Sequence, residues 1–136
     1  MRNRHLYSRI SPGKLLAVIS YFDNVVVRQN LVDPDSLLQV AIIPIESGSS
    51  VASHRHLSIE RNTVGTQEVW VIIRGGITVR VFDLDDLPID DFKLSEKDIL
   101  VTLDGGHAIL SSDSNTILYE IKNGPYLGEA LDRVRI

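Results

Sequence analysis

The apolar residues of this chain fall into short runs separated by turn-forming residues, and no long stretch carries the apolar period of an amphipathic helix. The runs cover residues 15–22, 25–30, 37–45, 51–59, 68–74, 77–82, 98–103, 108–111 and 116–122, and most are rich in Val and Ile. Between them stand Asp23-Asn24, Asp33-Pro34-Asp35, Ser47-Gly48-Ser49, Gly75-Gly76, Asp85-Asp86, Asp104-Gly105-Gly106 and Asn123-Gly124-Pro125, all residues that favour turns. Many short strands at such spacing predict an all-β protein, an antiparallel sandwich or a closed barrel. Gly75-Gly76 reads as a tight hairpin, because adjacent glycines tolerate the positive φ of primed turns. The acidic stretch 83–91, with Pro88, reads as a longer solvated loop and lacks the ligand spacing of an EF-hand. Gly65 and Gly75-Gly76 form no phosphate-cradling loop, since neither is followed by Lys-Ser/Thr and a helix.

The length of 136 residues suits one folding unit with one core. The chain has no Cys, which excludes disulfides, thiolate nucleophiles and thiolate metal sites, so any metal must use His and carboxylates. A net charge of −4 gives no electrostatic reason to expect nucleic acid. The longest apolar run, 15–22, contains Ser20 and stops at Asp23-Asn24, too short to cross a bilayer. Arg2, Arg4, Arg9 and Lys14 precede it as in a signal peptide, but no small-residue cleavage site follows, and the reading is a cytoplasmic protein. Residues 1–14, with His5, then form a basic N-terminal arm that is solvated or packs on a partner subunit, ahead of a domain over 15–136.

Three of the four His are His54, His56 and His107. On a strand over 51–59, alternation turns His54 and His56 to one face. Joined by a third His and a carboxylate from neighbouring strands, they would suit a divalent Fe, Mn, Ni or Zn ion. Their context sharpens this. Gly48 to His56 has a Gly-x5-His-x-His pattern, Glu68 to Gly75 a Glu-x6-Gly pattern, and Asp98 to His107 a strand, a Gly turn and a last His. These resemble the two cupin motifs over residues 37–122. The resemblance implies a cupin double-stranded β-helix, a small antiparallel jelly roll, holding a metal on His54, His56, Glu68 and His107. Two features depart from the family. Eleven residues separate His56 from Glu68, whereas Glu60 lies at the family's shorter spacing, so either carboxylate is open as the ligand, and a register slip would bring in Gln67. The turn before His107 is also short. A metal-free pocket, with the His as hydrogen-bonding groups, is the alternative.

The His-x-His pair, Glu60-Arg61-Asn62-Thr63, Gly65-Thr66-Gln67-Glu68 and the ending Glu120-Ile-Lys122-Asn-Gly124-Pro125-Tyr126 resemble a narrower group, the single-domain cupins of the WbuC and WxcM-like type from bacterial surface-polysaccharide biosynthesis. Relatives there include sugar-nucleotide ketoisomerases and epimerases. The resemblance implies a nucleotide-sugar or sugar-phosphate substrate. On a strand over 116–122, Leu118, Glu120 and Lys122 share one face. If that face looks inward, Glu120 and Lys122 are the acid and base; if outward, they are a surface pair. Glu68, Trp70, Ile72 and Arg74 share a face, so Trp70 is either core or a platform for a sugar ring. Arg61 could pair with a phosphate or lie solvated, and Tyr126 would pack over the barrel mouth. The expected function is a metal-binding isomerase or epimerase of a small carbohydrate-derived substrate. The alternatives are an Fe-dependent dioxygenase and a non-catalytic sugar-binding module. A homodimer paired through sheet edges is expected.

Overall fold

The computed structural model describes residues 2–136. Its strands are β1 (Arg2–Tyr7), β2 (Leu15–Tyr21), β3 (Gln29–Asn30), β4 (Ala41–Ile42), β5 (Glu68–Arg74), β6 (Gly76–Phe82), β7 (Pro88–Ser95), β8 (Ile99–Thr102), β9 (Gly106–Ser112) and β10 (Ile117–Lys122), followed by one helical turn, α1 (Glu129–Asp132). All pairings are antiparallel, in a sheet of order β1-β2-β8-β5-β10, a second of order β7-β6-β9, and a small pair β3-β4. The all-β expectation holds. No helix among the described residues is long and apolar enough to cross a membrane.

Alternation assigns the faces. Ala17, Ile19, Trp70, Ile72 and Leu100 of the five-stranded sheet pack with Ile77, Val79, Val81, Phe92 and Leu94 of the three-stranded sheet in one buried cluster. The intervening positions Val18, Val69 and Val101 point the other way and are covered by Leu31, Val32 and the partly buried Leu38, Val40 and Ile42. The segment carrying β3 and β4 therefore closes the outer face of the five-stranded sheet. Burial on both faces explains why β2 and β8 read as nearly continuous apolar runs.

Several local readings need correction. Gly75 is no hairpin tip: β5 belongs to one sheet and β6 to the other, so Gly75 is a corner between layers, at φ +75°. Thr116 braces it, its hydroxyl donating to the Gly76 carbonyl at 3.1 Å. The run 51–59 forms no strand. Residues 43–67 have no regular structure, and Val51, Leu57, Ile59 and Val64 are exposed. The runs 25–30 and 37–45 shrink to the two-residue β3 and β4. The acidic loop is shorter than expected, because β7 starts at Pro88 and buries Phe92 and Leu94. Residues 2–7, read as an arm, pair with β2 along Arg2↔Tyr21 to Leu6↔Ala17 as the edge of the five-stranded sheet.

Candidate functional site

The strand register builds a polar end onto the apolar layer between the sheets. Across the five-stranded sheet, Ile19 faces Leu100, Leu100 faces Trp70, and Trp70 faces Glu120. The next row, toward one end, is Ala17, Thr102, Glu68 and Lys122. Inner-face alternation thus carries the sheet from aliphatic residues to an ionised pair within one strand step. The opposing sheet supplies His107 on β9, in register with the buried Val81 of β6. Where the layers meet, His107 Nε2 lies 3.1 Å from Glu68 Oε2, and Lys122 Nζ lies 3.7 Å from Glu68 Oε1. The indole of Trp70 meets the His107 ring edge-on, with centroids 4.9 Å apart.

Exposure grades outward along this cluster. The Glu68 side chain is 15% exposed, Lys122 25% and Glu120 48%. Lys122 Nζ also reaches Glu120 Oε1 at 4.0 Å and Asp132 Oδ2 at 3.0 Å, and stands 4.8 Å from the Tyr126 ring centroid. The hydrogen bond with His107 holds the Glu68 carboxyl below the usual glutamate range; burial opposes this, and the charges of His107 and Lys122 reinforce it. Glu68 is therefore a carboxylate at neutral pH. The hydrogen bond to Asp132 holds the Lys122 ammonium above the usual lysine range against its burial. Trp70 is 7% exposed, and its indole N–H is buried without a partner, a condition that costs about 1–3 kcal/mol for an unmet donor.

Of the residues singled out from sequence, Glu68, Trp70, His107, Glu120 and Lys122 converge here. The inward orientation of the Glu120/Lys122 face is settled by Leu118, which packs on the inter-sheet core. Trp70 is core, with its ring edge-on to His107. Gln67 faces away from Glu68: its side-chain oxygen accepts from the Leu38 N–H at 3.0 Å, and its own N–H donates to Asn123 Oδ1 at 2.7 Å. Tyr126 stands beside Lys122 but is 63% exposed. Glu60, Arg61, His54 and His56 all lie exposed in the irregular segment 43–67. The two imidazoles contact each other edge-on with centroids 5.4 Å apart, and His54 Nδ1 lies 3.0 Å from the Ala52 carbonyl. Arg61 reaches only the carbonyl of Ile59, at 3.5 Å.

Among the described residues, no three His, Asp or Glu side chains are grouped as metal ligands would be. The donor set at the cluster is Glu68 and His107, with the Lys122 ammonium already beside the carboxylate. That set does not fit a four-ligand divalent ion.

Two members of the site have no sequence signal. Asp132 lies in the last turn of a helix with no buried residue, and Thr66 sits in an irregular segment; Thr66 Oγ1 meets Asp132 Oδ1 at 3.3 Å. Both reach the cluster through contacts distant in sequence. The other buried carboxylates are structural. Burial pushes the Asp83 carboxyl up, but hydrogen bonds from the Ser8 hydroxyl and from the N–H groups of Arg9, Leu84 and Ile10 outweigh it and hold it below the usual range. Asp98 accepts from the Phe22 and Ser95 N–H groups at 2.7 and 2.8 Å, joining the end of β2 to the β7–β8 turn. A hollow of about 290 Å³ among Phe22, Ile42, Val71, Ile73 and Ile99 has Lys97 as its one charged lining residue. It contains none of the converging polar groups found at the Glu68 cluster.

No protein-family model matches the sequence, and neither a curated protein nor a solved structure is significantly similar to it.

Proposed function

We propose that this protein is a cupin-type jelly roll whose Glu68, His107 and Lys122 bind a small carbohydrate-derived compound, a nucleotide sugar or sugar phosphate, and move a proton on it in isomerase or epimerase chemistry. The observation that carries the reading is the meeting of these three side chains from two sheets, around a buried indole with an unused N–H. The antiparallel two-sheet architecture is compatible with it.

The chemistry follows from hydrogen-bond roles. Neutral imidazole carries one N–H, and donation from Nε2 to the Glu68 carboxylate leaves Nδ1 with a lone pair. His107 is then placed to act as a base through Nδ1. Glu68, ionised and engaged, positions the ring; it does not itself take the proton. Abstraction from the carbon next to a carbonyl places negative charge on oxygen, and the Lys122 ammonium is the group that would receive it. Glu120, the most exposed of the three carboxylates about Lys122, stands where it can exchange a proton with water. The Trp70 N–H would find its missing acceptor in a ligand oxygen.

Incubation in D₂O with a nucleotide-linked ketohexose and a nucleotide-linked hexuronate tests this, with NMR of the sugar protons as readout. The wild-type protein is expected to introduce deuterium at the carbon next to the carbonyl of one of them. Saturable binding without label would sink the enzymatic reading and leave a sugar-binding module. Absence of binding would sink both.

A further inference from the structure

Beyond Lys122 the chain turns back so that Asp132 meets Lys122 again. Residues 123–136 end in exposed side chains almost throughout: Tyr126, Leu127, Leu131 and Val134 are 63%, 64%, 78% and 84% exposed, and α1 buries none of its residues. The helix has no side-chain N-cap, and the ion pair of Arg133 with Glu129, at 2.8 Å, lies on its own surface. Nothing in this composition amounts to a packed element. Yet the Asp132 side chain is only 16% exposed, because its two oxygens are taken by Lys122 at 3.0 Å and Thr66 at 3.3 Å. Asn123 ties the start of the strap to Gln67 and Gly65 by hydrogen bonds, and past Asp132 the Ile136 side chain lies against Gly106, next to His107.

We propose that Asp132 is an internal stand-in for the anionic group of the ligand, and that the strap lifts so that a singly charged carboxylate or phosphodiester of a sugar compound takes its seat on Lys122 and Thr66. The inference rests on the reading of the Glu68 cluster as a ligand site and names the ligand's charged group. A cation and a hydroxyl converging on one carboxylate form a two-donor anion seat. The charge balance sets the ligand's valence. Glu68 and Glu120 already stand 3.7 and 4.0 Å from Lys122, so one negative charge in place of Asp132 restores the present balance, whereas a doubly charged phosphate monoester adds repulsion. A carboxylate bound there also suits the proton chemistry above, since the ammonium that anchors it is the one that stabilises charge developing beside it. The strap can leave cheaply because it withdraws no buried apolar side chain from the core.

Calorimetric titration of the full-length wild type, Asp132→Ala and Asp132→Asn with D-glucuronate, the methyl phosphodiester of glucose 1-phosphate and uncharged glucose tests this. The first two ligands separate the carboxylate from the phosphodiester as the source of the anion. Removal of a competitor that fills the seat most of the time should tighten binding of the matching anion by about ten-fold, with glucose unaffected. Lys122→Met, or Thr66→Val placed on Asp132→Ala, should reverse the gain. In the wild type, a saturating anion should speed amide hydrogen exchange across 124–136. Equal or weaker anion binding by both Asp132 variants, or slower exchange of the strap with ligand, would overturn the stand-in while leaving the pocket a ligand site. Failure of every variant to bind either anion would overturn the stand-in and the proposed function together.

Discussion

Glu68→Gln is expected to lower deuterium incorporation into the responsive sugar by about 10²–10⁴-fold while leaving the affinity for that sugar nearly unchanged. The carboxylate accepts from His107 Nε2 and thereby keeps Nδ1 free as the base. A Gln amide matches the carboxylate in size but can turn its NH₂ toward Nε2, which selects the other tautomer and places a proton on Nδ1. Because Glu68 acts through His107, the two effects should not add: Glu68→Gln combined with His107→Asn should be no slower than His107→Asn alone. A loss of binding equal to the loss of rate would mean that Glu68 is a ligand contact only. Multiplying losses in the double variant would mean that the two residues act separately.

Gly105→Ala should remove about 2–5 kcal/mol of stability, read from the urea midpoint, and take the site with it. Gly105 is the crossing point from β8 in one sheet to β9 in the other, and the chain there is held from both sides. The Leu103 and Asp104 N–H groups both donate to the Leu16 carbonyl, at 2.7 and 3.2 Å, and Asp104 pairs with Lys14 at 2.8 Å. The residue sits at φ +72°, and a Cβ there would run into the Phe82 carbonyl oxygen. Neither backbone can yield without shifting Phe82, which β6 pairs with Gly106. His107 follows two residues on, so the same shift moves the base away from Glu68. Gly48→Ala separates the two causes. It has a similar φ of +78° with open space around it, and should cost only the left-handed term, about 1 kcal/mol. Similar losses at both glycines would remove the argument that close packing fixes the crossing.

Six of the strands could be read from the pattern because their burial is decided locally. β2, β5, β6, β8, β9 and β10 are runs of Val, Ile and Leu bounded by turn residues, and each has a neighbour in a sheet. Two of the edge strands were harder. β1 buries only Leu6 among charged residues, and β7 interrupts its alternation with Asp90-Asp91, as edge strands do to discourage pairing with other chains. The run 51–59 has the opposite fault: its Val, Leu and Ile alternate well enough, but no strand of the described fold offers it a partner, and strand propensity without a partner does not make a strand.

The same division applies to the site. Alternation along β5 and β10 made Glu68 with Trp70, and Glu120 with Lys122, legible as neighbours on shared faces but left open which face looks inward, and His107 was legible because a glycine turn leads into its strand. The expectation that His54 and His56 join them rested on a strand at 51–59, and it loses that support where the segment is irregular. Asp132 and Thr66 could not have been found this way. Their place depends on a strap that carries no periodic pattern and is held by an ion pair to Lys122, just before it, and a hydrogen bond to Thr66, far from it in sequence.

The central claim is that the Glu68, His107 and Lys122 cluster is where the ligand binds. Trp70 is the only Trp in the chain, and its ring lies 4.9 Å from that of His107, so its fluorescence reports on this place alone. Titration of the wild-type protein with UDP-glucose and UDP-glucuronate should give a saturable change in Trp70 emission with at least one of them, and Lys122→Met should abolish it. A calorimetrically verified binding event that leaves Trp70 emission unaltered, or one that survives intact in Lys122→Met, would contradict the account.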